Sequence, residues 1–146
     1  RENSFLNAIL NSLLLDKQEV VVLDMSAGIE HLTRGTARGV DFMLVVTEPT
    51  RTSIKTAGLV KRLSAELGIK NVKILGNKVR KEEEIKYLQD NFSPGEIIGV
   101  LPFEEKVWER SMADSPNNLV EESLLTGMED VYLQIIRGVE EVTGTR

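Results

Sequence analysis

The chain has 146 residues, the length of one domain, and its 41% apolar and 28% charged residues are ordinary for a soluble globular protein with a sizeable core. A formal net charge of -5 argues against a general nucleic-acid surface. With no cysteine there is no disulfide framework and no thiolate metal site within these residues; no apolar run is long enough for a membrane span or a signal-peptide core, so the expectation is a cytoplasmic protein.

Residues 2–15 place Phe5, Leu6, Ile9, Leu10, Leu13 and Leu14 at helical spacing, which predicts an amphipathic helix followed by a short loop at 16–18. Val20, Val21, Val22 and Leu23 are too continuous an apolar run for a half-wet strand and predict a fully buried parallel strand that stops on Asp24. Gly35 and Gly39, among threonines and arginines, predict a loop over 32–40. A second buried strand over 41–47 ends at Glu48-Pro49. Ile54, Ala57, Leu59, Val60, Leu63 and Leu67 then set a helix over 50–67, closed by Gly68 as its C-cap. A third strand, 72–75, leads into Gly76-Asn77-Lys78, and a charged helix over 81–91 is anchored by Ile85 and Leu88. A fourth strand, 96–101, ends at Pro102; a short helix over 103–112 and a last helix over 119–142 follow, the latter with a candidate break at Gly127. Alternating strands and helices imply right-handed crossovers, and so a single α/β domain over 1–146 whose parallel sheet is covered by helices on both faces.

Parallel strands bring their carboxyl ends to one rim, the edge at which open α/β sheets bind ligands. Asp24, Thr47 with Glu48, Asn77 with Lys78, and Pro102 with Phe103 are expected to meet there. Gly28 follows Asp24 by four residues and, lacking a Cβ, can bring its N–H close to a bound group. That pairing fits a Mg²⁺-organising Asp and a glycine N–H at a γ-phosphate, although an Asp closing a buried strand before a turn has a plain structural reading as well. Asn77 carries both a donor and an acceptor for the edge of a purine, and the Lys78 stem can cover a ring face; Gly-Asn after a strand is equally turn chemistry. His31, the sole histidine, reads as a surface residue, and the run from Lys81 to Glu84 as a solvated helix face.

The run Asp24-Met25-Ser26-Ala27-Gly28-Ile29-Glu30-His31-Leu32-Thr33-Arg34-Gly35-Thr36-Ala37, with Gly39-Val40-Asp41 and Val45-Val46-Thr47-Glu48-Pro49 after it, resembles the CooC-type ATPases that assist nickel insertion into carbon monoxide dehydrogenase. These are MinD/ParA-like deviant-Walker P-loop NTPases of the SIMIBI class, and Glu30-His31 and Arg34-Gly35-Thr36-Ala37 are what set the CooC type apart. Gly76-Asn77-Lys78-Val79 and Gly99-Val100-Leu101-Pro102-Phe103-Glu104 are similar to the family's adenine-binding segments. The resemblance implies Asp24 at Mg²⁺ through water, Gly28 at the γ-phosphate, Asn77 with Lys78 at the adenine, and Pro102 with Phe103 giving backbone contacts to the base. It further implies ATP and Mg²⁺ as cofactors, nickel held by the intact protein upstream of these residues, a homodimer of that protein, and carbon monoxide dehydrogenase or a related nickel enzyme as partner. The family's Gly-rich phosphate loop with its strand, and its Cys-x-Cys motif, do not occur in these residues. The chain therefore reads as the carboxyl-terminal portion of such an ATPase without its main phosphate ligands, inactive and self-associating in isolation.

Two other classes stay open on the residues alone. Asp24, Thr47 and Lys78 imitate the Asp, Thr and Lys of a receiver-like phosphoacceptor domain, although no strand with an acidic pair precedes Val20. A non-enzymatic partner-binding module would use the rim or the last helix for docking.

Overall fold

The computed structural model describes residues 20–25, 40–112 and 122–143. The expected helix at 2–15, the loop at 16–18, nearly all of the loop at 32–40, Gly28 and His31 lie outside the described residues. Strands β1 (Met43–Thr47), β2 (Val72–Val79) and β3 (Ile97–Pro102) form a parallel sheet in the order β1-β2-β3. Helix α1 (Arg51–Glu66) joins β1 to β2 and α2 (Glu82–Gln89) joins β2 to β3; α3 (Glu105–Ser111) and α4 (Glu122–Thr143) follow.

The apolar runs are continuous because both faces of the sheet meet helices, as parallel sheets require. Val45 and Ile74 pack with Ala57 of α1 and Leu88 of α2, while Leu44 and Leu75, pointing the other way, join Ile98, Leu101 and Val131 of α4. Helix α1 starts where the sequence has its cap: the Thr50 hydroxyl accepts the Ser53 N–H at 3.2 Å. It ends at Gly68, whose φ of 82° supplies the left-handed turn after the helix. Inside it, the fully buried Ser64 hydroxyl donates to the Val60 carbonyl at 2.8 Å, so its burial leaves no unmet polar group.

Three expectations are corrected. Residues 20–23 form no strand, and Val20, Val21 and Val22 are 57%, 44% and 85% exposed. The sheet stops at β1 among the described residues, and an apolar run acquires strand geometry only beside a strand that takes up its N–H and C=O groups. The third strand does not give way to a turn after Leu75 but continues through Gly76-Asn77-Lys78 to Val79. Gly127 breaks nothing: a Cβ there would stand 2.8 Å from the Leu101 side chain, so the glycine lets α4 lie close on β3. Gly99 does the same from the strand side, where a Cβ would meet Val131 at 2.6 Å.

Candidate functional site at the carboxyl rim

The end of β2 is built around a bulge. Gly76 pairs with Val100 and Val79 with Pro102, three steps along β2 against two along β3. Lys78 lies in the extra length with a φ of 57°, the one non-glycine residue in the left-handed region among the described residues. The Asn77 Oδ1 accepts the Lys78 N–H at 3.0 Å, a local side-chain bond that holds this conformation. Asn77 is half-buried, and its Nδ2 donates to no group among the described residues.

Both neighbouring strands are tied to this bulge. The Lys78 ammonium lies 2.6 Å from Glu48 Oε1, just beyond β1, in a pair exposed enough to contribute at most about 1 kcal/mol. On the other side the Phe103 N–H donates to the Val79 carbonyl at 2.9 Å. The Arg80 guanidinium stands 4.1 Å from the centroid of the Phe103 ring, and the Arg80 N–H donates to Glu84 of α2 at 2.7 Å. Glu104 accepts from the Ser123 hydroxyl, which joins the approach to α3 to the first turn of α4. Thr47 is buried and its hydroxyl turns to the Glu48 carbonyl at 3.5 Å.

Glu48, Asn77, Lys78, Pro102 and Phe103 thus stand together at the carboxyl rim, joined by Arg80, which the sequence reading did not single out. The available signal was a planar cation just past one strand end opposite an aromatic just past the next, which becomes a pair only once register is known. Asp24 is exposed and is not part of this group. Its neighbour Met25 packs on Ile69 with Met43 and Val72, at the amino ends of β1 and β2. At about 3.3 Å per residue, that is roughly 20 Å of strand away from Lys78. Asp24, Thr47 and Lys78 therefore do not converge as a phosphoacceptor triad would. Among the described residues no group of three or more His, Cys, Asp or Glu is placed to hold a metal ion.

Two features lie away from the rim. A cavity of about 660 Å³ opens between α4 and the amino half of the sheet, lined by Phe42, Lys73, Gly95, Gln134 and Arg137 among others. Two of its polar groups are spent on backbone carbonyls, Lys73 Nζ on Gly95 at 2.7 Å and Gln134 Nε2 on Ile98 at 2.9 Å. At the start of β3, Glu96 binds the Lys61 ammonium at 2.5 Å and the Ser93 N–H at 2.8 Å. Partial burial pushes the Glu96 pKa up, and Lys61 with Ser93 outweighs it, so the carboxyl is held below its ordinary 4.5. No described helix is long and apolar enough to cross a membrane.

No protein-family model matches the chain. It is 43% identical over 117 residues to the uncharacterised ATP-binding protein MJ0823 of Methanocaldococcus jannaschii, which covers 78% of this chain and 45% of that protein. It is 32% identical over 106 residues to the carbon monoxide dehydrogenase accessory protein CooC of Rhodospirillum rubrum, covering 73% of this chain and 40% of CooC. The ATP-binding protein MJ0685 of Methanocaldococcus jannaschii is 35% identical over 119 residues, 78% of this chain and 46% of that one. The chain spans less than half the length of the curated relatives it matches. With an α/β fold built on a parallel sheet and these similarities through most of its length, the chain belongs to the family of CooC and these ATP-binding proteins.

Proposed function

We propose that the carboxyl rim is the base-binding end of an ATP site, in a protein that hydrolyses ATP and assists nickel insertion into carbon monoxide dehydrogenase or a related nickel enzyme. The observation that carries this reading is the meeting of Asn77, Lys78, Pro102 and Phe103 at the carboxyl edge of a parallel sheet, in a chain with relatives named as ATP-binding proteins. Asn77 offers its Nδ2 as a donor to an adenine ring nitrogen, the Lys78 stem offers apolar cover, and Pro102, with no N–H, offers only its carbonyl. The phosphate end of the site, with Gly28 at the γ-phosphate, rests on the resemblance alone; Asp24, next to Met25 at the amino ends of β1 and β2, is not part of the proposed site. The homodimer and the nickel cargo rest on the resemblance too; the cytoplasmic setting rests on composition, and for the partner enzyme the support is CooC's name as a carbon monoxide dehydrogenase accessory protein.

Calorimetry of Mg-ATP binding to the full-length protein tests the base site. Asn77→Ala should weaken binding by about 1–3 kcal/mol, the cost of leaving a buried polar partner unpaired. Equal affinity in wild type and variant would return Asn77 to a purely structural role in the bulge.

A further inference from the structure

We infer that Arg80 is a positioning residue of the base slot: stacked on Phe103, it fixes how far the Pro102 backbone stands from Asn77. The inference rests on the reading of the rim as the base-binding end. Val79 closes β2 opposite Pro102, and its carbonyl takes the Phe103 N–H at 2.9 Å. The next residue, Arg80, is held at its backbone by the Glu84 carboxylate at 2.7 Å and at its tip by the Phe103 ring, 4.1 Å from the centroid. It therefore bridges the first turn of α2 to the segment that leaves β3.

Two cations flank the bulge and reach in opposite directions. Lys78 goes to Glu48 beyond β1, and Arg80 goes to Phe103 beyond β3. Asn77 adjoins Lys78, so the bulge that carries it is tied to the segments leaving both neighbouring strands, one of which carries Pro102. Each side chain suits the group it meets, since the Lys78 ammonium is a point charge for a carboxylate, whereas a guanidinium is planar and weakly hydrated and lies flat on a ring. Arg80 is exposed and contributes to no hydrophobic core, so its loss bears on the site more than on the fold.

The test uses the full-length protein and two ligands, Mg-ATP and Mg-tripolyphosphate, the second having no base. Arg80→Gln should weaken Mg-ATP about three- to tenfold, the scale of one lost cation–ring contact and a loosened slot. It should leave Mg-tripolyphosphate affinity and the melting temperature unchanged, and Arg80→Lys should fall between it and wild type. Phe103→Leu should weaken Mg-ATP similarly, with the double variant no worse than either single one, because both remove the same contact. Unchanged Mg-ATP affinity in Arg80→Gln beside a weakened Asn77→Ala would overturn the role of Arg80 and leave the base site standing. Unchanged affinity in both would overturn the base site itself. Equal losses on both ligands would mean a general structural effect and would also overturn the inference.

Discussion

At the level of single residues, the rim concentrates backbone strain and charge in Lys78. A side chain at Lys78 holds a φ of 57°, which glycine adopts without cost and alanine does not. Lys78→Gly and Lys78→Ala both lose the Glu48 bridge, so their difference isolates the backbone: urea unfolding should find the glycine variant more stable by about 1 kcal/mol. An alanine variant as stable as the glycine one would show that the bulge relaxes when the side chain goes. Asn77 and Lys78 were legible as a site because an amide and a lysine followed a strand, yet the same Gly-Asn pair read as a turn. The structure unites the two readings, since the turn-like conformation occurs inside the strand as a bulge. Glu96 supplies a second check at this scale. Its folded pKa lies below the ordinary 4.5, so the fold favours the charged form. The stability it contributes is therefore complete above the ordinary value and lost as pH falls through the lowered one. Glu96→Gln should destabilise relative to wild type near about pH 7, with the gap closing toward about pH 3. A gap independent of pH would remove the carboxylate from the explanation.

Elements were legible where local chemistry marked their ends, and misread where packing decided. Thr50 and Gly68 bound α1 because capping is written in two residues. Gly127 was ambiguous because a glycine in a helical pattern signals either a break or a close approach, and only the position of Leu101 distinguishes them. The contact of α4 with β3 depends on Gly99 as well, where an added Cβ would press 2.6 Å from Val131. Gly99→Ala should cost about 1–3 kcal/mol, the usual penalty of overpacking, and should cost less in a Val131→Ala background. Chemical denaturation of the four members of that cycle measures it; an identical cost in both backgrounds would place the clash elsewhere.

For the molecule as a whole, the class of fold was legible from alternating elements, while the place of residues 20–23 was not, because a strand's position depends on the strand it pairs with. Those valines are exposed, and β1 is an edge strand of the sheet among the described residues. Unpaired strand edges beside exposed apolar side chains are templates for association. Sedimentation of the 146-residue chain should therefore show concentration-dependent self-association, and a monomer across the accessible range would contradict it. The same dependence on partners outside the run explains why Asp24 was assigned to the rim from sequence but stands near the opposite end of the strands.

The most direct test of the rim as the nucleotide's base site is amide hydrogen exchange of the full-length protein with and without Mg-ATP. Slowed exchange should appear at residues 76–80 and 101–104, around Asn77 and Phe103, with no change along the cavity between α4 and the sheet. Protection confined to the cavity-lining residues near Gly95, Gly99 and Gln134, with the rim unchanged, would contradict it.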